Sequence, residues 1–237
     1  MLDVVGTVLL VALAALLVAV VAPVGDRPGV NRTGLGIGIA AWFVVAALLG
    51  AAGAFASPAL PVGVAVGLAV LAPVIIGFGV ITRTHGLGVP MTTLVAVNAG
   101  RVLGSAFLLL HAAGRLPATF AHSAGWGDVT TGVLAIPVVL AIRNRVPGWK
   151  WYTAAWNLVG LADLVAAVTL GVGSAPGSML RFIYETPGSG AIVQFPWVMV
   201  PAFFVPFYML THIAIFAGLA ASERVSADRL GSTARAA

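Results

Sequence analysis

AVNAGRVLGSAFLLLHAAGRLPATFAHSAGWGD, residues 96–128, is the stretch on which the reading of this chain turns. It starts as an apolar helix long enough to cross a bilayer, yet it carries Arg101 within that helix. His111, Arg115, His122, Trp126 and Asp128 follow in quick succession. Nearly all the surrounding sequence is Ala, Val, Leu, Ile and Gly.

Composition settles what kind of object holds such a stretch. Of the 237 residues, 60% are hydrophobic and 8% charged, and the mean hydropathy is +1.08. A soluble domain carries roughly 25% charged residues. So few charges cannot cover a water-facing surface, whereas lipid needs no such cover. A membrane β-barrel would show alternating segments of about ten residues; here the apolar runs are continuous and about twenty residues long. The expected fold is all-α, a polytopic membrane bundle of seven transmembrane helices.

The spans fall at about 4–24, 34–56, 62–81, 93–114, 128–143, 152–173 and 196–221. The first resembles a signal peptide, but Asp3 and the lack of Lys or Arg before it do not suit an n-region. Its apolar run also exceeds an h-region, so it is read as a retained helix. Asn31-Arg32-Thr33 matches a glycosylation sequon, a three-residue pattern too short to carry weight. Ser57-Pro58 reads as a tight turn. Gly63 with Gly67, and Gly100 with Gly104, have the spacing at which helix backbones approach closely in lipid. Trp149, Trp151 and Tyr152 read as an interfacial belt. MLRFIYET, residues 179–186, reads as a short amphipathic helix on the membrane surface. Residues 1–222 form the membrane domain, and 223–237 read as a disordered polar tail.

Basic residues give the orientation. Seven spans put Arg27, Arg32, Arg83, Arg143, Arg145, Lys150, Arg224, Arg229 and Arg235 on one side, against Arg115 and Arg181 on the other. The expected topology has the N-terminus outside and the C-terminus cytoplasmic. The net charge of +5 is thus read as membrane topology and not as a nucleic-acid signal. The Ala, Val, Gly and Arg bias suggests a GC-rich genome and a bacterial cytoplasmic membrane.

A central Arg or Asp costs about 2.5–3.5 kcal/mol on insertion scales, so each needs a reason. Arg101 lies about 13 Å, and Asp163 about 18 Å, from the same ends of their helices at 1.5 Å per residue. That offset is within reach of an arginine, which predicts a buried Arg101–Asp163 pair. Asn98 shares a face with Arg101, Asn157 stands beside the face of Asp163, and Tyr208 and His212 are i, i+4. Asn98, Arg101, Asn157, Asp163, Tyr208 and His212 are therefore expected in one layer, lining a ligand or proton path or locking the helices together. Pro73, Pro137, Pro201 and Pro206 add expected kinks.

An outer cluster of His111, Arg115, His122, Trp126 and Asp128 is expected near the surface. Asp128 reads most simply as a helix cap and Trp126 as an interfacial anchor. No helical H-x-x-x-H or E-x-x-H spacing supports a metal site. His111 and His212 differ by about 13 Å in depth, too far to share one haem iron. The only lysine, Lys150, is not placed for a retinal Schiff base. With no cysteine, thiolate chemistry and disulfides are excluded. No cofactor, metal or nucleic-acid partner is expected; the partners are the bilayer and a small molecule.

Three functions remain. The leading one is small-molecule binding or proton-coupled transport through a polar cavity between the fourth, sixth and seventh spans. The alternatives are a membrane-embedded enzyme on a lipophilic substrate, with Asp163 or His212 as acid or base, and a scaffold without a ligand.

Overall fold

The computed structural model describes residues 1–21, 31–57, 60–84 and 87–236, leaving aside the side chains of Arg32 and 223–236. Arg27 and Pro58, and the side chains of Arg32, Arg224, Arg229 and Arg235 used in the charge count, lie outside the described residues.

Among the described residues there is no strand, and seven helices are long and apolar enough to span a membrane. They are α1 (Leu2–Val21), α2 (Arg32–Ala51), α3 (Val62–Arg83), α4 (Met91–Ala112), α5 (Ala118–Arg143), α6 (Trp149–Ser174) and α7, whose spanning part is Val200–Ser222. Asn31 caps α2, its Oδ1 accepting from Gly34 N at 3.2 Å, which gives this sequon asparagine a structural task.

Several boundaries differ from the sequence reading, and each difference has a cause. The fifth span starts at Ala118, ten residues before the expected position, with Pro117 as its N-cap. His122, Ser123, Gly125 and Gly127 look like loop residues, but Phe120, Ala121, Ala124, Gly125, Thr131, Gly132, Ala135 and Val138 form one buried helical face. Asp128 is therefore no cap; it sits mid-helix. The expected amphipathic helix at 179–186 is absent, and 181–185 have no regular structure. Gly177 at φ 77° and flanking prolines break the helix there, and the N–H groups of Phe182 and Ile183 return to Gly173 O, both at 2.9 Å. The seventh helix runs on to Ala236 through the stretch expected to be a disordered tail, where Ala, Leu, Glu and Arg are good helix formers.

Two helices depart from α geometry. Val97–Gly104 of α4 is wound as a 3-10 helix. α7 opens with a π-turn over Val200–Phe204, closed by Val205 N–H on Val200 O. Pro206 in α7 cannot donate to the carbonyl four residues back, Ala202 O. The Trp42 indole of α2 takes that acceptor at 3.2 Å.

α7 is the centre of the molecule: 72% of its most apolar stretch is buried, against 22% for α2 and α3. Across α4–α7 one apolar cluster holds Leu94, Val95, Ala135, Val138, Trp156 and Ile215. A second holds Phe107, Leu110, Phe120, Ala121, Ala124 and Trp197. The polar residues lie between the two.

Candidate functional site

The site is built on the 3-10 segment of α4. Three residues per turn bring Asn98, Arg101 and Gly104 into line on one face. Asn98 and Arg101 are buried. At Gly104 a side chain would collide with Asp128, so the glycine lets α5 close on α4.

The Arg101 guanidinium is the hub. Nε donates to Asp128 Oδ1 at 2.7 Å, and Nη2 to Asp163 Oδ2 at 2.5 Å. Nη1 donates to Gly160 O at 2.9 Å and lies 3.1 Å from His212 Nε2. Four of its five N–H groups are thereby engaged. The pair expected between Arg101 and Asp163 forms, but as half of a triad whose second carboxylate comes from α5.

His212 is oriented by Asn157. The Asn157 Nδ2 donates to His212 O at 2.9 Å, which leaves Oδ1 to accept from His212 Nδ1 at 2.7 Å. This fixes the Nδ1–H tautomer, so Nε2 presents a lone pair to Arg101. The ring also packs on Trp156, centroids 5.4 Å apart, whose Nε1 donates to Thr131 O at 3.0 Å. Gly160 makes room for this: a methyl there would lie 2.6 Å from His212 Cε1.

Asn98 and Tyr208 complete the layer less fully. Asn98 Nδ2 donates to Leu94 O at 2.8 Å and to Thr211 Oγ1 at 3.1 Å. Its Oδ1 and the Tyr208 hydroxyl are buried without a hydrogen-bond partner among the described residues. Such groups cost free energy unless water or a ligand meets them. A cavity of about 50 Å³ is bounded by Arg101, Asp128 and Tyr208, and a second of about 40 Å³ reaches from Asp128 to Ser189. Each exceeds the roughly 10–15 Å³ that admits a water. The side chains of Asp128 and Asp163 keep 15% and 13% of their surface accessible, whereas that of Arg101 has none.

The outer cluster comes apart. Asp128 belongs to the buried triad. His111 and His122 pair with each other, rings edge-to-face at 5.1 Å, with His111 Nδ1 2.9 Å from Leu116 O. Arg115 Nη1 donates to Asp3 Oδ1 at 2.7 Å, and Trp197 Nε1 reaches the same oxygen at 2.6 Å, tying α1 to α4 and to the start of α7. Trp126 is exposed on the outside of α5. Glu185, from the loop after α6, accepts from the Thr119 hydroxyl and backbone N–H. Those donors hold its carboxyl below the ordinary range. Among the described residues, no three His, Asp or Glu side chains converge as metal ligands would.

Sequence reasoning groups Trp156 and Gly160 with Asp163, and Thr211 with His212, but puts Asp128 in the outer cluster and misses its place in the triad. For Asp128 a signal was available. With Pro117 taken as the helix start, Asp128 falls about 15 Å into α5, and Arg101 lies about 17 Å from the same end of α4.

Seven apolar helices around a buried Arg–Asp–Asp triad define an integral, multi-pass membrane protein. The chain belongs to a family defined as a domain of unknown function, DUF8737, whose model matches residues 58–220. That range covers α3–α7 and the whole triad, and omits α1 and α2. No curated protein and no solved structure matches the chain.

Proposed function

We propose that the triad is a proton-binding site through which this protein binds or transports a small molecule across the membrane. The observation that carries this reading is a charge count. One guanidinium faces two carboxylates, and the third neighbour, His212, offers a lone pair and no charge. With both carboxylates ionised the site holds one surplus negative charge in lipid, at a cost of several kcal/mol. A proton, or the cationic group of a substrate, relieves that cost. The partly accessible carboxylates and the two small cavities beside Asp128 supply the contact with water that proton exchange needs. His212 is held as an acceptor, so the carboxylates and not the histidine carry the proton. The basic loops favour an N-terminus outside and a C-terminus in the cytoplasm, in a bacterial inner membrane.

One observation favours a structural lock instead: Arg101 is enclosed and nearly saturated with acceptors. Infrared difference spectroscopy of the purified protein across a pH titration separates the two. A proton site shows the carbonyl stretch of a protonated carboxylic acid, reversible with pH and diminished in Asp128→Asn or Asp163→Asn. A hydrophobic carbodiimide then labels the same carboxyl more slowly as pH rises. A lock shows no protonated carboxyl at any pH where the protein stays folded, and that result would overturn the proposal.

A further inference from the structure

Two larger cavities have none of Arg101, Asp128 and Asp163 on their walls. α2 and α3 are neighbours in sequence but hardly touch; they lean on α1 and α7 instead. Between them runs a crevice of about 460 Å³, past Gly34, Gly38 and Trp42 on α2 and Pro73, Gly77 and Val80 on α3. A second crevice of about 370 Å³ continues from Trp42 to Leu49. Gly34 to Leu49 is about 22 Å of helix, more than the roughly 15 Å depth of one hydrocarbon leaflet. Polar groups are scarce on these walls: the first crevice has the Trp42 indole, already engaged with Ala202 O, and Thr211.

The mouth has the opposite character. The crevice ends between the first turn of α2, which Arg32 opens, and the last turn of α3. Arg83 lies three residues beyond Val80, on the same face of α3, and is exposed. At this end of the bundle the sequence carries nine basic residues against three acidic ones, Asp26, Glu223 and Asp228.

We propose that this crevice is a binding site for an anionic phospholipid, its acyl chain lying between α2 and α3 and its phosphate at Arg83. An open apolar cleft inside a bilayer admits neither vacuum nor water cheaply, and hydrocarbon chains are the medium at hand. The basic mouth selects the headgroup, as basic pockets between membrane helices do. The site shares no charged group with the triad and needs no proton chemistry there.

Trp42 lies on the walls of both crevices and reports their occupancy. The protein is placed in vesicles containing phosphatidylglycerol or phosphatidylcholine with brominated chains, which quench tryptophan on contact. The Trp42 signal is the difference between wild type and Trp42→Phe. Quenching is expected at about fivefold less brominated phosphatidylglycerol than phosphatidylcholine, the preference one basic side chain confers near a surface. Arg83→Gln should bring the two lipids level while leaving the quenching itself. Gly38→Leu should remove quenching by both, because the space beside Gly38 is open: an added Cβ meets nothing within 4 Å. That substitution also leaves the Trp42 hydrogen bond intact, so it serves if Trp42→Phe does not fold. Equal quenching by the two lipids in wild type overturns the headgroup assignment. Quenching that is the same in wild type and Gly38→Leu overturns the site. So does a Trp42 shielded from both lipids in a chain of doubled mass, which means a second copy fills the crevice.

Discussion

The halves of this molecule solve the problem of lipid in different ways. α4–α7 close around charges. Their helices approach until glycine is the only residue that fits, at Gly104 against Asp128, at Gly127 against Asp163 and at Gly160 against His212. α1–α3 carry no charge at mid-depth; Gly6, Gly50 and Gly77 still pack closely on Trp197, Val198 and Leu210, but α2 and α3 stay apart from each other. Gly38, Gly67 and Gly79 face open space, and α2 and α3 part enough to leave two crevices. Between lipid and protein an apolar side chain gains little by choosing one over the other, since there is no water to escape. Polar groups have a strong preference, so they hold helices together more firmly than apolar ones do. The family model respects the same division in part, beginning at residue 58 and omitting α1 and α2.

The sharpest way to break the comparison is to remove the cation. Arg101→Gln leaves two buried carboxylates without their partner, and a broken buried pair costs about 3–5 kcal/mol. Thermal unfolding in detergent should show a large loss, and no single apolar substitution on the lipid face of α2 should approach it. Restoring charge balance separates attraction from packing. In Arg101→Met with Asp128→Asn and Asp163→Asn, most of the lost stability should return, because isosteric neutral replacement of a buried charge network is often close to neutral. If the triple variant stays as unstable as the single one, the guanidinium's bonds to Gly160 O and His212 are what hold this half together.

The glycines test the same contrast at smaller cost. A methyl at Gly127 overlaps the Asp163 carboxylate, whereas at Gly67 it meets nothing within 4 Å. Gly127→Ala should therefore destabilise by about 1–3 kcal/mol, the usual range for overpacking. Gly67→Ala should stay within about 0.5 kcal/mol of wild type. The sequence offers Gly63 and Gly67 as a close-packing pair equal to Gly100 and Gly104. In the structure Gly63 faces Ser178 and Val172, and Gly67 faces nothing. Equal losses at Gly127 and Gly67 would mean that the open space beside Gly67 does not persist in the folded protein.

What the sequence made legible follows from what lipid demands. Length and hydropathy alone place seven helices, because a span must be long, apolar and self-bonded. Depth counting along each helix brings Arg101, Asp163, Asn157 and His212 to one layer, because an α-helix rises steadily. Asp128 was lost where a rule for soluble proteins was applied to a membrane helix. Gly125, Gly127, His122 and Ser123 read as loop, since glycine weakens a helix in water, but between membrane helices glycine is the means of approach. The 3-10 turn around Arg101 and the π-turn of α7 left no signal beyond Pro201 and Pro206. A proline reports which carbonyl is freed but not which partner takes it.

The smallest effect lies at the outer rim, where the polar half is pinned by its loop. Glu185 accepts from the Thr119 hydroxyl and N–H at the start of α5, and its carboxyl is held below its ordinary value of 4.5 mainly by the hydroxyl. A depressed carboxylate contributes stability above its unfolded pKa and loses it as pH falls through the folded value. Glu185→Gln should therefore lower Tm slightly at neutral pH and match wild type in acid. The group is exposed and screened, so the difference should stay under about 2 °C. A gap of similar size at both pH values would show that Thr119 binds the side chain for its shape and not its charge. A gap several times larger at neutral pH would mean that the loop over α5 and α6 bears part of the load assigned here to Arg101.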